Sequence, residues 1–456
     1  MKQALIGISS GLVAGLLFLS ILFLGPLSNR QDSTPVASEA ATVSAVVSSS
    51  AVATESASVS AVATQSCSVK EYLEAEGILD LQAQVVDVST SAVLLDRNAK
   101  VGARTASVLK LVTAAAALET LGPNYVVTTR VYVDAADPSI LYLVGAGDVT
   151  LSRTDANSQS VYKNAPKLST LVRQISKALP NQTFSQIVLD STLFGAKNGD
   201  WKADWDKKGI AEGYMSRVSA LQVDGDRNNP AGKDSARGSD PVARAGKWFK
   251  EALGAAGSKA AVTNGVAPTS AKEVAKVTSR PIKEWIDYML VVSDNTLAEA
   301  LARLVAIDTG FGSSFASLDG AYKLALKNTG LDLSALRIED GSGLSDYNAA
   351  SPALINSLLG LVQAGFGDFE VIKDGMPVAG TPGSLSYRLE DAAGRITAKT
   401  GWIQSGYTLA GFMQTPDGGN LIFTLLNLGK VSEANREAMD DLAMAIYNCG
   451  TQLGNE

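Results

Sequence analysis

A run rich in alanine and leucine at residues 109–118 has strong helix propensity, and Gly122-Pro123 soon after it supplies a stop. The sequence therefore predicts a helix with Ser107 at or just inside its N-terminus. Lys110 follows Ser107 by three residues, so both side chains share one helix face with their Cβ atoms about 5–6 Å apart. This spacing brings an amine within reach of a hydroxyl.

The chain has no histidine, which excludes a Ser-His-Asp triad and histidine-ligated zinc sites. If a serine is activated here, a lysine must activate it. Ser-x-x-Lys occurs twice, at Ser107/Lys110 and at Ser160/Lys163, so the spacing alone does not identify a catalytic pair. Other motifs in the sequence are needed to distinguish the two pairs.

Two later motifs supply that context. Ser293-Asp294-Asn295 interrupts a helical pattern that begins at Pro281, and by itself it is typical of an ordinary helix N-cap. Lys399-Thr400-Gly401 follows a predicted strand that begins at Arg395, and by itself it is typical of a strand that ends in a turn. In this order, however, the three motifs are the signature set of the serine acyltransferases that include penicillin-binding proteins and serine β-lactamases.

The chemistry of such a site assigns a role to each residue type. Ser107 would attack a carbonyl, and Lys110 would accept its proton if burial and the cation of Lys399 lower its pKa. Ser293 would bridge the two lysines and relay a proton to the departing amine. The residues expected to bind substrate are Asn295 through its amide, Thr400 and Gly401 through a strand edge, and Trp402 through a backbone N–H that forms an oxyanion hole with that of Ser107.

The chain is similar to the class C low-molecular-mass penicillin-binding proteins, the D-alanyl-D-alanine carboxypeptidase/endopeptidases of peptidase family S13. The first two motifs lie 186 residues apart, too far for a compact β-lactamase, and the similarity extends from about Leu79 to Leu426. Further stretches that carry the resemblance are residues 143–148, 223–227, 293–300 and 340–345, which read LVGAGD, VDGDR, SDNTLAEA and DGSGLS.

The resemblance implies an α+β fold, with an antiparallel sheet flanked by helices as in penicillin-binding proteins and serine β-lactamases. Residues 67–121 and 267–456 would form the catalytic domain, and residues 122–266 an α+β domain inserted between the first two motifs. Two departures affect the site. Asp346 stands where the family usually has a basic residue, and Trp402 where the residue is usually small or hydroxylated.

The activity implied is removal of the terminal D-alanine from peptidoglycan stem peptides ending in D-Ala-D-Ala, with possible cleavage of D-alanyl cross-links and with β-lactams as inhibitors. Two alternatives stay open at this stage: a serine β-lactamase, and a penicillin-binding sensor or scaffold without turnover. The motifs call for no cofactor and no metal. A net charge of −7 without a basic patch argues against nucleic acid.

Residues 4–27 are uncharged and apolar, long enough to cross a bilayer, so residues 1–28 are predicted to be a membrane anchor or signal segment. Residues 29–66, nearly all Ser, Ala, Val and Thr from residue 32 on, are predicted to be a disordered tether. We expect an extracytoplasmic protein, anchored in the membrane or secreted to the cell wall. Cys67 and Cys449 would form a disulfide in that setting and would remain small apolar residues in a reducing one.

Overall fold

The computed structural model describes residues 66–195 and 199–454. The predicted membrane segment, residues 1–28, lies outside the described residues, and so does the predicted tether, residues 29–66, except for its last residue. Within the described ranges, no helix combines the length and the apolar character needed to cross a bilayer.

The described residues contain ten strands and eleven helices, numbered here in chain order. The strands are β1 Asp80–Asp87, β2 Val93–Arg97, β3 Thr128–Val133, β4 Ile140–Val144, β5 Gln186–Asp190, β6 Ala261–Asn264, β7 Lys272–Thr278, β8 Ile396–Ile403, β9 Gly406–Gln414 and β10 Asn420–Leu428. The helices are α1 Lys70–Leu73, α2 Leu109–Leu121, α3 Leu168–Ala178, α4 Lys208–Glu212, α5 Pro241–Leu253, α6 Ile282–Val292, α7 Asn295–Asp308, α8 Leu318–Leu326, α9 Pro352–Gln363, α10 Glu370–Asp374 and α11 Glu433–Cys449.

The first sheet joins both ends of the described chain in the strand order β2-β1-β10-β9-β8, with every neighbouring pair antiparallel. Alternate residues of a strand face opposite sides, so β9 contributes to two cores. Ala410 and Phe412 pack with helices α2 and α6–α10, whereas Leu409 and Met413 pack with α11. An antiparallel sheet between two helical layers is the α+β arrangement that the sequence predicts.

The second sheet has the order β6-β5-β4-β3-β7 and is mixed. β4, β5 and β6 are parallel, while β3 is antiparallel to both β4 and β7. Helices α3 and α5 contribute Leu171 and Phe249 to its core and connect the parallel strands, because parallel neighbours need a long crossover. β7 pairs with β3 although it begins at Lys272, so the sheet continues past residue 266, where the sequence predicted the insert to end.

Helix α2 is buried along nearly its whole length, and Gly122 ends it with φ of +76°. A single 3₁₀ turn, Ala106–Val108, precedes it and carries Ser107. The predicted position of Ser107 at the helix start is therefore confirmed.

The break between α6 and α7 falls at the second motif. Ser293 ends α6 in the left-handed conformation with φ of +62°, and Asp294 caps α7 by accepting the N–H of Leu297 at 2.9 Å. Ser293 and Asn295 thus lie on either side of a capping residue.

Cys67 and Cys449 are joined in a disulfide, with their Cα atoms 5.4 Å apart. The backbone N–H of Cys67 also donates to the carbonyl of Gln452 at 2.8 Å. The two ends of the described chain are therefore held together covalently and by hydrogen bonding.

Candidate active site

The three motifs meet between α2, the α6–α7 break and β8. Ser107 lies at the junction, where its hydroxyl accepts a hydrogen bond from the Lys110 amine at 2.8 Å. Ala106 before it has φ of +43°, an uncommon conformation for a residue with a side chain. A loop at residues 340–345 passes so close that a Cβ on Gly343 would lie 1.9 Å from the carbonyl oxygen of Ala106. Position 343 therefore requires glycine.

Lys110 is fully buried and donates three hydrogen bonds. Its acceptors are the hydroxyl of Ser107 at 2.8 Å, the side-chain oxygen of Asn295 at 2.6 Å and the carbonyl of Ser342 at 2.6 Å. Burial lowers the pKa of Lys110 to about 7, against an opposing effect of Asp340 and Asp294. This amine can therefore give up and take up a proton near neutral pH.

Lys399 is also fully buried and donates to the hydroxyl of Ser293 at 2.9 Å and to the carbonyl of Thr400 at 2.7 Å. Burial, with a further contribution from the nearby charge of Lys110, lowers the pKa of Lys399 well below its usual value. The sequence predicts that the charge of Lys399 helps to lower the pKa of Lys110. In the structure burial is the cause at Lys110, and the repulsion between the two lysines lowers the pKa of Lys399.

The contacts of Ser293 and Asn295 differ from the expected ones. Ser293 contacts Lys399, but Lys110 bonds to Asn295 rather than to Ser293, so Ser293 does not bridge the two lysines by direct hydrogen bonds. The other end of the Asn295 amide donates to the carbonyl of Tyr214 at 2.9 Å. Asn295 therefore connects Lys110 to the segment between the first and second motifs.

Strand β8 lies at one edge of the first sheet. Ala398 donates its N–H away from β9, to the carbonyl of Pro377 at 2.9 Å. Backbone groups alternate along an antiparallel strand, so Thr400 and Trp402 also direct their N–H groups away from β9. Among the described residues, no strand pairs with that side of residues 400–402.

Gly401 brings this edge against the nucleophile. A Cβ at Gly401 would lie 2.1 Å from the hydroxyl oxygen of Thr408 and 2.8 Å from the backbone nitrogen of Ser107. The backbone nitrogen of Ser107 therefore lies against Gly401, the residue before Trp402. The Trp402 side chain is 55% exposed and packs at a tilt on Tyr407, with ring centroids 6.3 Å apart, while the Thr400 hydroxyl donates to Ser384.

The loop at residues 340–345 carries a contact that sequence reasoning missed. Asp340 accepts the N–H groups of Ser342, Gly343 and Ser345, which shapes the loop so that the Ser342 carbonyl faces Lys110. Trp205, from the segment between the motifs, donates its indole N–H to Asp340 at 2.7 Å. The stretch DGSGLS marks this loop in the sequence, but nothing local indicates that a backbone carbonyl binds the lysine.

Asp346 and the second Ser-x-x-Lys pair, which also stand out in the sequence, make ordinary structural contacts. Asp346 accepts a hydrogen bond from Ser405 in the turn between β8 and β9. Ser160 bonds to the backbone of Tyr162, and Lys163 is exposed, so the second Ser-x-x-Lys pair is built into a loop. Within the described ranges, no group of three or more Cys, Asp or Glu residues is arranged to hold a metal ion.

Comparison with known proteins shows to which family the chain belongs. The family model described as "D-Ala-D-Ala carboxypeptidase 3 (S13) family" matches residues 65–242 and 227–448. The chain belongs to this family.

Two relatives and one solved structure illustrate the membership. Carboxypeptidase DacB of Mycolicibacterium smegmatis is 31% identical over 383 residues, which is 81% of each chain. A D-alanyl-D-alanine carboxypeptidase of Actinomadura sp. is 29% identical over 436 residues, with 79% of this chain and 80% of the relative covered. The crystal structure of penicillin binding protein 4 from Haemophilus influenzae matches with a TM-score of 0.70 and 19% identity, over 83% of this chain and 99% of that one.

Membership in the S13 family confirms the family and the penicillin-binding-protein-like α+β fold that the sequence predicted. It also makes the chain a serine-type D-alanyl-D-alanine carboxypeptidase, a peptidase of the hydrolase class. The roles of the individual residues are argued below.

Proposed function

We propose that the chain cleaves D-alanyl-D-alanine through an acyl-enzyme on Ser107, with Lys110 as the base. The observation that carries this proposal is the 2.8 Å contact between the Lys110 amine and the Ser107 hydroxyl, together with a lysine pKa of about 7. As the Ser107 oxygen bonds to the carbonyl carbon, its proton passes to Lys110. The contacts with Asn295 and Ser342 keep the amine in place during this transfer.

Collapse of the tetrahedral intermediate breaks the C–N bond and releases the terminal D-alanine, whose amine needs a proton. Ser293 is placed to deliver it, because its hydroxyl is hydrogen-bonded to Lys399. Water then attacks the acyl-enzyme, and one of its protons replaces the proton that Ser293 and Lys399 gave to the amine. Lys110 returns its proton to the Ser107 oxygen, and the shortened peptide leaves. The backbone N–H groups of Ser107 and Trp402 stabilise the oxyanion in both steps.

The open side of β8 supports an extended peptide as the substrate. A stem peptide can pair with the outward backbone groups of Thr400 and Trp402, as an added strand does at a sheet edge. We assign recognition of the terminal carboxylate to Lys399 and the Thr400 hydroxyl, and Asn295 would bond to the peptide amide after rearrangement of its present contacts. D-alanyl cross-links present the same bond, so endopeptidase activity belongs to this proposal.

β-Lactams offer a strained acyl donor to the same serine, and we include them as inhibitors. One structure of the Haemophilus protein, similar in fold, is a complex with a β-lactam. A serine β-lactamase uses the same first step but must release its acyl-enzyme rapidly. The persistence of the adduct therefore separates the two functions.

The proposed location is outside the cytoplasm, with residues 1–28 as a membrane anchor or signal and residues 29–66 as a tether to the cell wall. Two features support it: the apolar sequence of residues 4–27, and the disulfide between Cys67 and Cys449, because disulfides persist in oxidising compartments.

The test is intact-mass spectrometry of the full chain after exposure to benzylpenicillin, beside the Ser107→Ala variant. We expect a persistent adduct on the parent protein and none on the variant, and release of D-alanine from a D-Ala-D-Ala peptide by the parent alone. An adduct that disappears while the antibiotic is consumed would indicate a β-lactamase. An adduct that persists without peptide cleavage would indicate a scaffold without turnover, and no adduct together with intact antibiotic would overturn the acyl-enzyme mechanism.

A further inference from the structure

The middle residue of the second motif is bonded to the segment that separates the first two motifs. Asp294 lies between Ser293 and Asn295, and its Oδ2 atom accepts a hydrogen bond from the Arg227 guanidinium at 2.8 Å. The Tyr162 hydroxyl donates to the same oxygen at 3.2 Å, and Arg227 in turn donates to the Tyr162 oxygen at 2.8 Å. Three side chains thus form a closed set of contacts.

These contacts are almost inaccessible to water. The side chains of Arg227 and Asp294 are 1% and 3% exposed. Burial by itself raises the pKa of Asp294, but Arg227 and Arg237 outweigh it and hold that pKa below its usual value. Replacing a buried ion pair with apolar residues is often neutral for stability, so an ion pair at this position is better explained by what it places than by the stability it adds.

The backbone that presents Arg227 is unusual. Asp224, Gly225 and Asp226 all have left-handed conformations, with φ of +53°, +56° and +61°. Such conformations persist only where the surroundings enforce them, and Arg153 and Arg244 do so by pairing with the two aspartates. A Cβ at Gly225 would lie 2.5 Å from Arg227 Nη1 and 2.6 Å from the Tyr162 oxygen. The loop is therefore shaped so that the guanidinium fits against Tyr162.

The two carboxylate oxygens of Asp294 have separate tasks. Oδ1 accepts the N–H of Leu297 and caps α7, whereas Oδ2 binds Arg227 and Tyr162. With both oxygens held, the carboxylate has a fixed orientation, which restrains the backbone between its two neighbours. Those neighbours carry the contacts to the two lysines, Ser293 to Lys399 and Asn295 to Lys110.

We infer that Arg227 is a positioning residue for catalysis, which holds Ser293 and Asn295 in register with the two lysines through Asp294. The segment between the first and second motifs is then part of the catalytic machinery rather than a separate binding module. This inference rests on the proposed acyl-enzyme function and adds to it a residue that never contacts the substrate.

The test compares Arg227→Gln, Arg227→Lys, Asp294→Asn and Tyr162→Phe in the full chain. Asparagine caps a helix about as well as aspartate, so Asp294→Asn removes the charge pair but keeps the start of α7. The control is Asp440→Asn, which removes the carboxylate from a less buried ion pair, with Arg388, on α11. The measurements are the limiting rate and apparent affinity of acylation by benzylpenicillin, corrected for the folded fraction, and the thermal midpoint.

We expect Arg227→Gln and Asp294→Asn each to lower the limiting acylation rate about 10- to 100-fold with little change in apparent affinity, since small displacements of reacting groups have effects of this size. The double variant Arg227→Gln/Asp294→Asn should be acylated no more slowly than the slower of the two single variants. Arg227→Lys should recover part of the rate, and Tyr162→Phe should lose a few-fold. Asp440→Asn should keep the parent rate even where its thermal midpoint falls.

A purely structural role predicts the opposite pattern: lower thermal midpoints for the Arg227 and Asp294 variants with unchanged acylation rates per folded molecule. That result would overturn the inference and leave the proposed function intact. If Arg227→Gln does not fold, Asp294→Asn and Tyr162→Phe still decide, because each leaves a side chain of nearly the same shape. A parent protein that is not acylated would instead defeat the proposed function, and this inference with it.

Discussion

At the scale of single residues, Lys110 shows how burial adjusts the pKa of a lysine amine. Its amine has three hydrogen-bond acceptors, which would favour the charged form, yet complete burial lowers the pKa to about 7. The nearby carboxylates of Asp340 and Asp294 act in the other direction and keep the pKa from falling further. The balance leaves an amine that is partly neutral at physiological pH, as a general base requires.

This balance predicts the pH dependence of acylation. Below about pH 7 Lys110 is protonated and cannot accept the Ser107 proton, so the acylation rate should rise about tenfold per pH unit and level off above about pH 7. Stopped-flow measurement of acylation by benzylpenicillin from pH 5 to 9 checks this. Lys110→Arg, which stays protonated throughout, should be inactive at every pH, and a flat profile for the parent protein would rule out Lys110 as the titrating base.

At the scale of secondary structure, strand β8 combines a buried face with an open edge. Lys399 is buried and Gly401 lies against Ser107, whereas Thr400 and Trp402 direct their N–H groups outward. Among the described strands, β8 pairs only with β9, and the segment at Val378 bridges it at Thr397, so the N–H groups of Thr400 and Trp402 stay available to a peptide. The Trp402 ring is exposed at this edge. The group of residue 402 that we expect to act in the reaction is its backbone N–H, as part of the oxyanion hole.

Two substitutions at position 402 distinguish the contribution of the backbone N–H to acylation from that of the side chain. Trp402→Pro removes the N–H that we assign to the oxyanion hole, and loss of one such donor lowers rates about 10²- to 10³-fold. Proline is tolerated on an edge strand where the N–H makes no ladder bond, so the sheet should persist. Trp402→Thr keeps the N–H and should acylate within a few-fold of the parent. Acylation rates and circular dichroism check both, and equal rates for the two variants would contradict the assignment.

At the scale of the whole molecule, the first sheet contains strands from both ends of the described chain, because β1 pairs with β10. The disulfide between Cys67 and Cys449 connects the segment before α1 to the end of α11. Cys449 lies in the core on the α11 side of the sheet and Cys67 packs against that core, on the opposite side from the helical layer that contains α2. The disulfide therefore stabilises the domain without contacting the site.

Replacing both cysteines by serine should lower the free energy of unfolding by about 2–5 kcal/mol, because the unfolded chain gains the freedom that the crosslink removes. Acylation by benzylpenicillin at 25 °C should remain unchanged per folded molecule. Urea denaturation of the parent protein and the double variant, each with and without reductant, measures the effect. Equal stability of the oxidised parent and the variant would show that the hydrogen bonds at Cys67 already hold the termini together.

The order and spacing of the three motifs identify the family, the nucleophile and its helix from sequence alone. These features are local: Ser107 and Lys110 meet because they are three residues apart at the start of a helix, and strand and turn patterns mark β8 and the capping break at Asp294. Such short-range geometry follows from backbone periodicity, so it can be predicted without knowledge of the tertiary structure.

Tertiary structure alone decided which distant groups complete the site. The Ser342 carbonyl contacts Lys110 across 232 residues, Asn295 rather than Ser293 contacts that lysine, and Arg227 reaches Asp294. β7 likewise joins the second sheet beyond the predicted limit of the insert because it pairs with β3. Contacts of this kind depend on which buried polar groups must find partners once helices and sheets pack, and no local pattern specifies the answer.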